Sequence, residues 1–128
     1  MNPVVCDTNI FIKLFDEDVI VIAELEKIGN PRILMPSVSM MELFCGMSNK
    51  HEMLQMKKKI KHFNVLHLNE AASQKAIEIL SEYRLSHGLS IPDALIGAMA
   101  ISYNLELFTY NLKDFRFLKG IRLYVIPE

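Results

Sequence analysis

Four acidic residues stand where an acid is unusual. Asp7 follows the apolar run Val4-Val5-Cys6 in "VVCDTNIFI", and Glu42 sits among apolar residues in "SVSMMELFCG". Asp93 opens the apolar stretch "DALIGAMAI", and Asp114 lies in "FTYNLKDF". A carboxylate is costly to bury unless it is paired or binds metal. Two carboxylates about 4 Å apart repel by roughly 4 kcal/mol at an effective dielectric near 20. Four acids converging on one cleft would therefore call for a divalent cation, and all-oxygen ligation suits Mg²⁺ or Mn²⁺ rather than Zn²⁺. Each acid also has a local explanation. Asp7 caps the helix that follows it. Glu42 reaches a basic neighbour or water. Asp93 forms a capping box with Ser90, and Asp114 belongs to an ordinary Asn/Asp turn. The metal reading depends on a fold that brings the four together.

The elements that would position them follow from the apolar pattern. Val4–Cys6, Ile33–Met35, Val65–Leu68, Leu105–Phe108 and Leu123–Ile126 read as short strands, the first of them buried on both faces. Helices are expected from Ile10 to Leu14 behind a Thr8 cap, from Val19 to Ile28 behind Asp16-Glu17-Asp18, and from Val38 to about Met47. Further helices are expected across "SNKHEMLQMKKKIKHF" (48–63), over 70–85, and from Asp93 to Tyr103. On the third of these helices, Glu42 shares a stripe with Val38, Met41 and Cys45. Strands alternating with helices imply a mostly parallel sheet covered on both faces. In such sheets function gathers outside the carboxyl ends of the strands, near the point where strand order reverses. Asp7 ends the first strand, and Asp114 follows the fourth.

The 128 residues suit one domain, 1–128, and a 51% hydrophobic fraction is ample for its core. A formal net charge of −1 gives the whole molecule no bias toward nucleic acid, so any such binding must be local. Lys113, Arg116, Lys119 and Arg122 form a basic stretch beside Asp114, which makes them phosphate-binding candidates, and Lys13 follows closely on Asp7. Lys57, Lys58, Lys59 and Lys61 read equally well as a solvated face opposite Met53, Met56 and Ile60. Two isolated thiols, Cys6 and Cys45, are no disulfide framework and point to a reducing, cytoplasmic setting. No stretch approaches the roughly 18 apolar residues of a membrane span.

His51, His62, His67 and His87 show no metal-ligand spacing, and there is no Gly-rich phosphate loop, G-x-S-x-G or C-x-x-C. A receiver domain would need an Asp ending the third strand, where Val65-Leu66-His67-Leu68 stands. A haloacid-type phosphatase would need a second Asp at position 9, which is Asn.

Taken in order, "VVCDTNIFI", "MPSVSMMELFCG", "SIPDALIGAMA" and "FTYNLKDF" resemble the four signature segments of PIN-domain ribonucleases, and most closely those of VapC-type toxins. The resemblance covers essentially the whole chain. It implies a three-layer α/β/α sandwich with a mostly parallel central sheet. It implies RNA cleavage dependent on Mg²⁺ or Mn²⁺ through a metal-activated water, a homodimer and a cognate antitoxin. Relatives of this kind suggest tRNA or another structured RNA as target. By position, Asp7, Glu42 and Asp93 match the family's three acids. Many relatives have Asp where this chain has Asn111, so the fourth role is assigned to Asp114, with Asn111 as a neutral ligand beside it. Thr8, Asn9 and Thr109 match residues that orient the carboxylates. A catalytically degenerate RNA-binding or scaffold module of the same fold is the competing reading, and Asn111 is its support.

Overall fold

A computed structural model of the chain describes residues 2–126. Four short strands form one sheet: β1 (Val4–Cys6), β2 (Ile33–Pro36), β3 (Asn64–Leu66) and β4 (Glu106–Phe108). Their order is β3-β2-β1-β4, and every pairing is parallel. Among the described residues, seven α-helices connect and cover them: α1 (Thr8–Phe15), α2 (Val19–Ile28), α3 (Ser37–Cys45), α4 (Lys50–Ile60), α5 (Glu70–His87), α6 (Ile91–Ser102) and α7 (Leu112–Phe115).

The strand residues alternate between two cores, as the pleat requires. Val5 and Leu107 pack with Ala72, Ala76 and Ile79 of α5, Ile96 and Met99 of α6, and Phe115 of α7. Val4, Cys6, Ile33, Met35 and Phe108 pack with Ile10 and Phe11 of α1, Val21 and Leu25 of α2, and Met56 and Ile60 of α4. The result is the α/β/α sandwich expected from the resemblance. The chain steps from β1 outward through β2 to β3, then returns to lay β4 on the other side of β1. Strand order therefore reverses between β1 and β4. The Asp7 N–H donates to the Phe108 carbonyl (2.9 Å), which locks the two strand ends together at that point.

Several boundaries differ from the sequence reading. Asp7, not Thr8, caps α1, and its side chain accepts the Thr8 N–H. α5 runs on to His87, because the chain leaves the helix only where Gly88 adopts φ 64°. α6 starts at Ile91, two residues early. Ser90 caps it, and Pro92 sits in the first turn, where a missing N–H has no helical partner to lose. β3 stops at Leu66, which leaves His67 and Leu68 exposed. The turn expected around Asp114 is instead the helix α7, seated by the fully buried Phe115.

The expected strand 123–126 is reduced to one parallel bridge, Leu123 to Leu107. It is made by two bonds, from the Leu107 N–H to the Arg122 carbonyl and from the Tyr124 N–H to the Leu107 carbonyl (both 2.8 Å). Side chains hold this segment instead: the Tyr124 hydroxyl donates to the buried Glu24 of α2, and its ring packs on Phe108.

α1 carries the residues that follow β1, and its anchor is Phe11, fully buried and edge-on to Phe63 with ring centroids 5.2 Å apart. Phe11→Ala should lower stability by about 3–5 kcal/mol through lost burial and a residual cavity. Urea unfolding checks this; a loss below about 1 kcal/mol would mean that Phe11 does not anchor the helix.

Candidate active site

Asp7 extends from the end of the central strand and is 3% exposed. Its two oxygens are held separately. Oδ1 accepts the Thr8 N–H (2.8 Å), and Oδ2 accepts the Thr109 hydroxyl (2.9 Å). Thr109 follows β4, the strand paired with β1, so the reversal of strand order is what brings residues 7 and 109 together. The Thr109 hydroxyl oxygen in turn accepts the Asn111 N–H (2.9 Å), which places Asn111 behind Thr109 in one chain of hydrogen bonds.

Glu42 reaches the same place from α3. Thr8 Oγ1 lies 2.7 Å from Glu42 Oε1 and 2.8 Å from Ser39 Oγ. A hydroxyl has one proton and an ionised carboxylate only accepts. Thr8 therefore donates to Glu42 and receives the proton of the fully buried Ser39. The stripe expected around Glu42 is not a buried one. Met41 is 62% exposed and Cys45 is exposed, while Val38, Ser39 and Leu43 turn inward. Glu42 thus stands at the surface with one oxygen tied down, and it borders a cleft of about 300 Å³ floored by Ile12, Phe15, Leu43 and Met56.

Asp93 lies in the first turn of α6, with its N–H donating to Ser90 Oγ (3.3 Å). Asp114 lies in the first turn of α7. Asp7, Asp93 and Asp114 thus all sit at helix amino ends, where the peptide dipoles favour negative charge.

The neighbouring acids act on Asp7 and Asp93. Burial pushes the Asp7 carboxyl up, the bonds from Thr109 and Thr8 oppose this, and the charges of Glu42 and Asp114 push it further. Asp93 is pushed up to about 6, by burial first and then by Asp7 and Asp114; Ser90 lowers it, and Glu42 adds a last contribution upward. No lysine or arginine contributes to either shift, and the ion pairs among the described residues, Lys27–Glu24 and Lys75–Glu78, lie elsewhere.

An all-carboxylate donor set with no organic cation fits a hard divalent ion. Each oxygen of Asp7 accepts one hydrogen bond and keeps a further lone pair. Among the described residues, no three His, Cys, Asp or Glu side chains are already gathered at ligating distance. The acids stand within one another's field without forming a finished cage.

The remaining sequence candidates divide. Asn9 is half-buried, and its side chain bonds to none of the four acids among the described residues, so its expected orienting contact is absent here. Lys13 lies over the Tyr110 ring, 5.1 Å from its centroid. Lys113, Arg116 and Lys119 are exposed, whereas Arg122 is occupied with the Asn104 carbonyl. Met56 and Ile60 are buried and Lys57, Lys58 and Lys61 exposed, which is the solvated-face arrangement. Ser39 was not singled out in the sequence. Its signal is a hydroxyl about one helical turn before Glu42 on a mostly apolar helix.

The family model of the PIN domain matches residues 4–119. The chain belongs to the PIN domain family. A sequence search of curated proteins finds no significant match. Among solved structures, this PIN domain is similar to a toxin–antitoxin complex from Klebsiella pneumoniae at 27% identity and TM-score 0.75, over 96% of this chain and 99% of that one. It is similar in fold to DNA-bound VapBC from Salmonella typhimurium, at 22% identity and TM-score 0.81, over 97% and 98% of the two chains. The same holds for VapBC2 from Rickettsia felis bound to a promoter DNA fragment, at 22% identity and TM-score 0.79, over 94% and 96%.

The raised Asp93 pKa has a direct consequence for stability. Between about pH 4 and 6 the folded PIN domain holds a proton that the unfolded chain has lost, so stability falls as pH rises through that window. Metal-free Asp93→Asn should therefore melt higher than the unsubstituted protein at pH 7, and the gap should close below about pH 4. Thermal unfolding in chelator at the two pH values checks this; a gap that does not depend on pH would contradict it.

Proposed function

We propose that this PIN domain is a metal-dependent endoribonuclease and the toxin of a toxin–antitoxin pair. One observation carries the reading: Asp7 at the switch point of a parallel sheet and Asp93 both feel the charges of Glu42 and Asp114, and no basic side chain is paired with any of the four acids among the described residues. Membership of the PIN family supports nuclease chemistry. Similarity to a structure described as a toxin–antitoxin complex supports a cognate antitoxin as partner.

In this reading Asp7, Glu42, Asp93 and Asp114 hold Mg²⁺ or Mn²⁺, with Asn111 a neutral neighbour. A divalent ion bound there would make a water acidic enough to attack near neutral pH and would offset the charge on the phosphate. The chain's own residues prepare the site. Thr8 and Thr109 fix the two oxygens of Asp7, and Thr8 orients Glu42 by its hydroxyl. The second Glu42 oxygen, at the surface, is free to orient the attacking water and accept its proton. Attack by water rather than by the ribose 2′-hydroxyl leaves a 5′-phosphate and a 3′-hydroxyl. Lys13, Lys113, Arg116 and Lys119 are the proposed phosphate contacts, since phosphate contacts position a strand without reading it. The substrate is tRNA or another structured RNA cut in a single-stranded loop. The protein acts in the cytoplasm as a homodimer, and its antitoxin places a basic side chain against the four acids.

Asp7→Asn, Glu42→Gln and Asp93→Asn should each lower Mn²⁺-dependent RNA cleavage by several orders of magnitude while the protein stays folded. Turnover like that of the unsubstituted protein by purified Asp93→Asn would overturn the assignment. Titration of Mn²⁺ into Asp114→Asn and Asn111→Ala then separates the fourth role. The larger loss of affinity should fall on Asp114→Asn, and the reverse order would transfer the role to Asn111.

A further inference from the structure

A second feature lies on the segments that carry Asp93 and Asp114 and takes no part in the chemistry described above. The His87 ring stacks on the Phe117 ring, with centroids 3.9 Å apart and planes 16° from parallel. Tyr83 stands against both, 5.7 Å from His87 at 76° and 5.1 Å from Phe117 at 60°. His87 Nδ1 lies 2.7 Å from Ser86 Oγ. Aromatic pairs in a core favour edge-on or offset packing, and Tyr83 is placed in that way. The near-parallel pair is different, because its outer member is on the surface. Phe117 is half-buried and covers one face of the imidazole, while His87 itself is exposed, which leaves its other face to water.

Its position follows from the chain path. His87 ends α5, and the three residues Gly88–Ser90 lead directly into α6, whose third residue is Asp93. Arg84 holds that short loop by donating to the Gly88 and Leu89 carbonyls (3.1 and 3.0 Å). Phe117 lies three residues beyond Asp114. Each half of the stack therefore comes from a segment that also carries one of the four acids. The segment around Phe117 is basic: Lys113, Arg116 and Lys119 are exposed and in no ion pair among the described residues.

We propose that the His87–Phe117 stack is a platform for one unpaired nucleobase of the RNA, holding the strand beside the acids while Lys113, Arg116 and Lys119 meet the flanking phosphates. The inference rests on the nuclease reading and adds to it a positioning site outside the four carboxylates. The chemistry favours a base over an apolar peptide side chain. A flat π surface flanked by unpaired cations matches a nucleotide, in which a flat base is joined to a phosphate. An apolar partner would gain from the ring but leave the cations unsatisfied. Stacking tolerates any base, so the platform positions the strand rather than reading its sequence.

The test uses single-stranded oligoribonucleotides carrying 2-aminopurine, whose fluorescence falls on stacking, moved one position at a time. Binding is followed with Mn²⁺ in the Glu42→Gln background, and cleavage of the same strands with Glu42 intact. One position should be quenched, the quenching should vanish in His87→Ala and it should persist in His87→Tyr, which keeps a flat ring. His87→Ala should raise KM by roughly five- to a hundredfold, the range expected on truncating a base-stacking aromatic, with kcat and melting temperature little changed. Quenching and KM unaltered in His87→Ala would overturn the platform and leave the nuclease intact. The same holds if His87→Ala weakens binding of an antitoxin but not of RNA. Failure of the unsubstituted protein to bind or cut any of the strands would overturn the nuclease reading and the platform with it.

Discussion

A carboxylate buried at the end of the central strand sets the conditions for everything around it. Asp7 is 3% exposed, and an ionised acid in that position costs several kcal/mol unless its surroundings take over the role of water. They do so in part. The Thr8 N–H and the Thr109 hydroxyl each supply one charge-assisted hydrogen bond, worth about 1.5–3 kcal/mol. The amino end of α1 adds the field of its peptide dipoles. No counter-charge is paired with Asp7 among the described residues. Glu42 and Asp114 raise the Asp7 carboxyl further instead, and Asp7, Asp114 and Glu42 raise that of Asp93. Raised carboxyls of this kind cost stability as pH rises through their titration.

The same protein shows the ordinary treatment of a buried acid. Glu24 is 4% exposed, nearly as buried as Asp7. It receives the Tyr124 hydroxyl and lies 3.8 Å from the Lys27 ammonium, and burial together with Glu24 pushes the Tyr124 hydroxyl up to about 12. Glu24 is thus paired, hydrogen-bonded and occupied in fastening the segment after β4 to α2. Among the described residues, Asp7 has hydrogen bonds and no ion pair. The contrast within one chain is between a buried acid given a cation partner and one given only hydrogen bonds.

Much of this was legible in the sequence because it depends on local pattern. An apolar triplet running into Asp7 and then into helical spacing places an acid at a strand end, and alternating strands and helices place that end at the functional edge. Asp93 was legible from its position before an apolar helix. Glu42 was legible as an unusual acid but not in its setting, because a helical stripe of Val38, Met41 and Cys45 does not reveal which way the helix turns. Ser39 needed that orientation to be recognised. The segment 123–126 has strand composition but lies beyond β4 with room for a single bridge, so side-chain contacts to Glu24 and Phe108 decide its course. The pairing of His87 with Phe117 joins the last residue of α5 to the turn after α7, with α6 and β4 between them in the chain, and no local pattern announces it.

Calorimetric titration of Mn²⁺ tests most directly the proposal that the four acids hold a divalent cation and that the ion displaces a proton from Asp93. Run in buffers of different ionisation enthalpy, it reports both binding and the protons displaced. The account requires Mn²⁺ to bind the unsubstituted protein and to release protons at about pH 6, where the Asp93 carboxyl is half protonated, and to release few at about pH 8. It also requires binding to weaken sharply in Asp7→Asn. Absence of binding, or binding that survives Asp7→Asn with no proton release at either pH, would contradict it.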